Sequence, residues 1–122
     1  MLTRRRFIKL AGVSSLLLLG GCKPPVKKPS IQEIRVDLME WALEPDMITA
    51  KAGTIRFVVR NRGTIIHGFE IEGKKFEREI EPFPAGQTRS LLVELPPGEY
   101  EIYCQVPGHK EQGMEGTLIV EA

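Results

Sequence analysis

Near its C-terminus the 122-residue chain reads Tyr103-Cys104-Gln105-Val106-Pro107-Gly108-His109-Lys110-Glu111-Gln112-Gly113-Met114. A thiol, an imidazole and a thioether follow one another here at the spacing Cys-x4-His-x4-Met. The alternating run at residues 99–104 predicts a strand that ends on Cys104, and residues 116–120 predict a second strand. The stretch is therefore interpreted as a loop between two strands that carries soft metal ligands.

The chain from residue 31 onward is a series of short strand-like runs with turn signals between them. Strands are predicted at residues 34–38, 54–60, 65–71, 89–95, 99–104 and 116–120. Residues 41–47 look irregular, 74–80 suit either one helical turn or a strand, and 81–86 suit a loop. Several short strands in about 90 residues predict an all-β fold, a Greek-key β-sandwich.

The composition is that of one ordinary globular domain. Of its residues, 42% are hydrophobic and 27% charged, and the formal net charge is +1. These values exclude disorder for the bulk of the chain and give no indication of nucleic-acid binding. The length allows a single domain, and we expect a monomer.

Residues 1–21 predict an export signal. The first ten residues are strongly basic, with Arg4, Arg5, Arg6 and Lys9. The apolar run at residues 10–19 is shorter than the about 20 residues that a membrane span needs, and it suits the hydrophobic part of a signal peptide. Residues 3–9 resemble the twin-arginine export motif, and a plain basic start to a general secretory signal is the alternative.

Cys22 is predicted to carry a lipid. The small residues before it resemble a bacterial lipobox, which implies cleavage before Cys22 and lipidation of its sulfur. Residues 22–30 are then the lipidated cysteine and a Pro/Lys-rich tether, and residues 31–122 are the folded domain. We expect an exported protein held at the cell-envelope side of the plasma membrane. A disulfide between Cys22 and Cys104 is the alternative, which their two different contexts disfavour.

Four residues together predict one mononuclear metal site: His67, Cys104, His109 and Met114. Each alone has an ordinary structural explanation, but His67 and His109 are the only two histidines of the chain. Zinc is the competing metal, yet zinc sites that contain cysteine and histidine usually hold two or more cysteines and rarely methionine. Two histidines, one cysteine and a weak methionine are the ligand set of blue copper sites. Such a site leaves no position for a substrate, which favours electron transfer over catalysis.

An apolar rim around the loop histidine is a weaker expectation. Phe83, Pro84, Val106 and Pro107 would form this possible partner-facing rim. His109 would then be the exposed edge through which electrons enter and leave. Ordinary loop packing explains the same four residues about as well.

The chain resembles the cupredoxins, the family of type 1 blue copper proteins. The resemblance lies in Asn61-x-Gly63 before His67-x-Phe69, and in the loop from Tyr103-Cys104 to Met114. It implies a Greek-key β-sandwich with one copper, held by His67, Cys104 and His109 in the equatorial plane and by Met114 on the axis. Many relatives carry Asn or Asp after the first histidine, where this chain has Gly68. The related binuclear copper domains need two loop cysteines, which this chain lacks.

The expected function is that of a membrane-tethered electron carrier with redox partners such as a cytochrome or an oxidase. The alternative is a protein that delivers copper to an enzyme such as an oxidase. Delivery proteins usually show clustered, exposed methionine or histidine, and this chain has no such cluster. A copper enzyme would need a second metal site, for which no histidine is left.

Overall fold

The computed structural model describes residues 30–122. The predicted export signal, the predicted lipidation site Cys22 and the tether up to residue 29 lie outside the described residues. Within residues 30–122, no helix has the length and apolar character needed to cross a membrane.

Residues 30–122 form nine strands: β1 (Gln32–Met39), β2 (Ala42–Glu44), β3 (Met47–Lys51), β4 (Gly53–Asn61), β5 (His67–Gly73), β6 (Phe76–Phe83), β7 (Thr88–Leu95), β8 (Gly98–Tyr103) and β9 (Glu115–Glu121). A short 3-10 helix, Lys110–Gln112, lies between β8 and β9.

The strands form two sheets, in the orders β2-β1-β4-β7 and β3-β9-β8-β5-β6. β1 pairs in parallel with β4, and β3 with β9. The other neighbours are antiparallel. The chain passes repeatedly from one sheet to the other, as in Greek-key sandwiches. The predicted all-β Greek-key β-sandwich is confirmed.

The core lies between the two sheets and follows from the alternation of the strands. In β4, Ile55, Phe57 and Val59 point inward and are fully buried. The ring of Phe57 lies 5.5 Å from that of Phe69 in β5, which belongs to the other sheet. Because each buried aromatic ring removes a large apolar area from water, this pair is a main contact between the sheets.

Two segments differ from the expectation. The strand alternative for residues 74–80 is the correct one, since β6 begins at Phe76, and this strand continues to Phe83 and so takes up the first half of the predicted loop 81–86. Pro82 is compatible with this strand because β6 lies at the edge of its sheet, where a missing N–H breaks no ladder. The segment 41–47, predicted to be irregular, contains the three-residue strand β2.

The topology brings the candidate ligands to one end of the sandwich. β5 starts at His67 and runs antiparallel to β8, which ends directly before Cys104.

The loop between β4 and β5 is fixed by Asn61, whose side chain is fully buried. Its Nδ2 donates to the carbonyls of Ile65 and Phe83 at 2.9 and 3.0 Å, and its Oδ1 accepts from the Gly63 N–H at 2.9 Å. Asn61 thus holds the loop that delivers His67.

We expect Asn61→Ala to destabilise the domain by roughly 1–3 kcal/mol, because it leaves buried backbone groups without partners. Urea unfolding of the metal-free protein measures this loss. The control is Arg62→Ala on the next residue, which removes only an exposed ion pair with Asp37 and should change stability by less than about 1 kcal/mol. Equal effects of the two substitutions would contradict the role of Asn61.

Candidate metal centre

Three of the four predicted ligands meet in one buried cluster. The Nδ1 atoms of His67 and His109 lie 3.1 Å apart. The Sγ of Cys104 lies 4.0 Å from Nδ1 of His67 and 3.5 Å from Nδ1 of His109. The side chains are 0%, 1% and 7% exposed for His67, Cys104 and His109. Among the described residues, this is the group of histidine, cysteine and acidic side chains that could hold a metal ion.

The cluster has the size that a metal ion needs. Nitrogen and sulfur ligands bind such ions at about 2.0–2.3 Å, which places them about 3.5–3.8 Å apart in a trigonal plane. The observed separations of 3.1, 3.5 and 4.0 Å bracket this range. Two imidazole nitrogens and one sulfur are the equatorial donors of a type 1 copper site. The group therefore fits a type 1 copper ion.

Glu40 determines which nitrogen of His67 faces the cluster. Its Oε1 lies 2.7 Å from Nε2 of His67. A carboxylate only accepts hydrogen bonds, so Nε2 carries the proton and Nδ1 keeps its lone pair. Carboxylates fix metal-binding histidines in this way in many sites. Sequence reasoning missed Glu40, which lies 27 residues before His67 in the turn between β1 and β2.

The Glu40 carboxylate also fastens the loop before His67. It accepts hydrogen bonds from the N–H of Thr64 at 2.9 and 3.1 Å and from the N–H of Ile65 at 3.3 Å. The Thr64 bond, followed by those from His67 and Ile65, lowers the pKa of Glu40 from 4.5 to about 2, against the opposing effect of burial. A Cβ on Gly63 would lie 2.6 Å from Nε2 of His67 and closer still to Oε1 of Glu40. A side chain at position 63 would therefore displace the paired Glu40 and His67 side chains.

The Cys104 sulfur is buried, and backbone N–H groups are directed at it. The Gly68 N–H donates to Sγ at 3.4 Å. Burial raises the pKa of the Cys104 thiol, against the lowering by the backbone N–H groups of Gly68 and Val106. Without a metal the thiol thus stays protonated, and a bound cation would displace its proton.

His109 lies beneath Trp41, a contact that the sequence did not indicate. The two ring centroids are 4.9 Å apart at an interplanar angle of 75°, and Trp41 lies 6.3 Å from the His67 ring. Burial, followed by the neighbouring His67, lowers the pKa of His109. Both effects keep its imidazole neutral and able to bind a metal.

Met114 is fully buried and linked to two of the clustered residues by its backbone. Its N–H donates to the His109 carbonyl at 3.2 Å, and its carbonyl accepts from the Cys104 N–H at 3.0 Å. These bonds close the loop from β8 to β9 into a compact turn. The order Cys104, His109, Met114 in the sequence thus becomes a spatial group.

The expected rim is only partly on the surface. Phe83 is 3% exposed and belongs to the core, so it cannot face a partner. It is buried because β6 continues to this residue, where it pairs with His67. Pro84 and Pro107 are exposed and Val106 is half-buried. His109 is also not the exposed edge that was expected, since Trp41 covers it.

Gly68, the departure from the family pattern, has a physical explanation. A Cβ at Gly68 would lie 2.7 Å from Cδ and 2.8 Å from Nε2 of Gln105. The side-chain amide of Gln105 thus occupies the space in front of Gly68. From there its Nε2 donates to the Ile80 carbonyl at 2.9 Å. Sequence reasoning did not single out Gln105.

A two-sheet β-sandwich with a buried His-Cys-His cluster and a nearby methionine defines the class of small mononuclear copper-site domains. Residues 12–120 match the family model of the cupredoxin-like domain. The chain belongs to this family.

Solved structures with the same fold include two auracyanins. The reduced auracyanin of Roseiflexus castenholzii superposes with a TM-score of 0.68 at 20% identity, over 75% of this chain and 98% of that chain. Auracyanin A of Chloroflexus aurantiacus, a "blue" copper protein, gives 0.65 at 18% identity, over 75% of this chain and 100% of that chain.

Two curated relatives are similar in sequence. The copper-resistant cuproprotein CopI of Rubrivivax gelatinosus is 28% identical over 110 residues, covering 75% of this chain and 66% of CopI. The iron uptake system component EfeO of Yersinia pestis is 28% identical over 99 residues, covering 80% of this chain. This chain spans 26% of that EfeO protein and 20% of its Escherichia coli counterpart.

The low pKa of Glu40 predicts a pH-dependent stability. The carboxylate pKa is lower in the folded protein, about 2, than the usual 4.5, so its stabilisation is complete above pH 4.5 and is lost as pH falls towards 2. We expect the stability advantage of wild type over Glu40→Gln to shrink across this window. Urea unfolding of both metal-free proteins at several pH values measures it. An advantage that stays constant with pH would contradict the assignment.

Proposed function

We propose that this protein is a type 1 copper electron carrier that passes single electrons between redox proteins of the cell envelope. The observation that carries the proposal is the buried triangle of the two Nδ1 atoms and the Cys104 sulfur. A copper ion bound there would supply a one-electron couple between Cu(I) and Cu(II).

The proposed equatorial ligands are His67 and His109 through Nδ1 and Cys104 through Sγ. Met114 is the proposed weak axial ligand, supported by its complete burial and by its backbone bonds to His109 and Cys104. A buried thioether tolerates both copper oxidation states, because it binds weakly.

The surrounding residues keep the donor atoms in one arrangement. Glu40 holds the His67 ring, the Gly68 N–H holds the sulfur, and the closed loop holds His109. Donors that are fixed before the electron arrives need little rearrangement during the transfer, which favours fast exchange of an electron. Burial of the cluster also excludes water and leaves no position for a substrate.

The proposed surface for electron exchange includes Trp41. The indole is 37% exposed, whereas the His109 ring beneath it is 7% exposed. A partner that approaches this end of the sandwich therefore meets Trp41 before it meets His109. Ile65 and Ile66, 43% and 51% exposed, precede His67 in the loop that Glu40 fastens and add apolar surface.

The proposed location follows from the N-terminal sequence. Residues 1–21 act as an export signal, Cys22 carries the lipid, and residues 22–30 link it to the domain at residues 31–122. The protein is then an exported lipoprotein on the envelope side of the membrane, and it acts as a monomer with redox proteins.

Copper delivery is the second candidate, and the name of the relative CopI favours it. A delivery site must release its metal to an acceptor, which exposed ligands make easier. The candidate ligands here are all 7% exposed or less. Electron transfer is therefore the better explanation. An enzyme with a second copper site is disfavoured, because the cluster already contains both histidines of the chain.

Copper(II) added to the metal-free protein should produce an intense blue colour, since the Cys104 sulfur gives a charge-transfer band with the metal. It should also quench the fluorescence of Trp41, the single tryptophan, which lies 4.9 Å from the His109 ring. Cys104→Ser should abolish the colour completely. The matched control Cys22→Ser should keep the colour and release the protein from membranes. A colourless copper(II) complex of the wild type would refute the proposal.

Met114→Gln should keep the blue colour and lower the reduction potential. An amide oxygen is a harder ligand than a thioether, so it stabilises the oxidised metal. Equilibrium redox titration of the copper-loaded protein measures the shift. Met47→Gln is the control, because Met47 is 61% exposed and should leave the potential unchanged. An unchanged potential in Met114→Gln would exclude Met114 as a ligand.

A further inference from the structure

We infer that Gln105 is a positioning residue of the metal centre, whose side-chain amide holds Gly68 so that the Gly68 N–H points at the Cys104 sulfur. This inference rests on the proposed function, because it concerns how the sulfur of the copper site is held. It adds a residue whose side-chain hydrogen bonds go to Glu79 and Ile80 and not to a donor atom.

Gln105 and Gly68 each follow a proposed ligand directly. Gly68 comes after His67, and Gln105 comes after Cys104. The three end atoms of the Gln105 side chain would all lie within 3 Å of a Cβ on Gly68. The amide therefore rests directly on the Gly68 backbone and connects the two ligand-bearing segments.

The other side of the amide is fixed to β6. Its Nε2 donates to the Ile80 carbonyl at 2.9 Å and to a carboxylate oxygen of Glu79 at 3.2 Å. Gln105 thus reaches from the loop after β8 across β5 to the edge strand. Because the amide is bonded to β6 and also packs against Gly68, it restricts the position of the Gly68 backbone.

The contact lies where the ladder between β5 and β6 is interrupted. The register of this pair shifts between His67 and Phe69, which is the position of Gly68. The extra residue is on β6, where Glu81 and Pro82 lie opposite Gly68 alone, so regular pairing between the two strands is interrupted there. The Gly68 N–H is directed at the Cys104 sulfur, at 3.4 Å. Gln105 supports the strand at the point where backbone pairing does not.

The unpaired amide oxygen of Gln105 lowers the stability of the folded domain. Within residues 30–122, Oε1 is buried and has no hydrogen-bond partner. An unpaired buried acceptor destabilises a protein, so simple packing would favour an apolar side chain here. The amide is explained by its donor bond to Ile80 and by its close contact with Gly68.

The test compares Gln105→Ala, Gly68→Ala and the double variant in the copper-loaded full chain. The Gln105 amide is the end of a flexible side chain, so an added methyl at Gly68 displaces it without preventing folding. Both single variants then lose the same support, and the N–H···S bond weakens in each. A thiolate with fewer donors stabilises Cu(II), so both should lower the reduction potential and shift the blue band by similar amounts.

The double variant distinguishes a shared role from two separate ones. If Gln105 acts through Gly68, the double variant shows no larger shift in potential than either single variant. Shifts that add, or a Gln105→Ala variant with the wild-type band and potential, would overturn the inference. The control Gln112→Ala removes an exposed glutamine of the same loop and should shift neither quantity.

A measurement on the metal-free protein separates this inference from the proposed function. Hydrogen exchange at the residue 68 amide, followed by NMR, reports its protection without any metal. Gln105→Ala should exchange this amide faster than wild type even if the protein never turns blue. Unchanged exchange in Gln105→Ala would overturn the inference, whatever the colour of the copper complex.

Discussion

Three donor atoms that point at one another inside a protein are the constraint on which the rest of this structure depends. The Nδ1 atoms of His67 and His109, 3.1 Å apart, and the Sγ of Cys104, 3.5 Å from Nδ1 of His109, are directed towards the same small buried volume. Polar atoms in such an arrangement have no water to solvate them, so the fold must hold them there by other contacts. A cation that binds all three would remove this penalty, so metal binding should stabilise the folded domain.

The contacts that hold the donors come from four different parts of the chain. Glu40 lies in the turn after β1, and Asn61 is the last residue of β4. Gly68 directly follows the proposed ligand His67, and Gln105 directly follows Cys104. Glu40 bonds to the far side of a ligand ring, the Gly68 N–H bonds to the Cys104 sulfur, and Asn61 and Gln105 bond to backbone groups. None of them offers a donor atom to the cluster itself. The site is thus built as a rigid support around three side chains, and the two sheets fix the distances between its parts.

Sequence reasoning predicted the sandwich from the strand pattern and proposed the donor residues from residue type and spacing, with His67 included as the only other histidine of the chain. The alternating runs specify the strands, and Cys104-x4-His109 lies within one loop. Glu40 and Trp41 were missed because they reach the site only after β1 and β5 are placed in opposite sheets. Phe83 was misplaced on the surface because Pro82 suggested a loop, whereas an edge strand accepts proline. The sequence contained no signal for which face of such a segment becomes buried.

Trp41 limits access to the His109 ring, because the indole packs against this ring and is the more exposed of the two. An exposed histidine would offer one route for both electrons and small ligands, since a partner and a competing ion would meet the same nitrogen-bearing ring. In the proposed function the indole next to His109 separates the two, because an electron can cross a short aromatic contact while the donor atoms themselves are buried. Glu40 is bonded to His67 on the same side and precedes Trp41 in the chain. The turn after β1 thus contacts both histidine rings, because Glu40 bonds to His67 and Trp41 packs against His109.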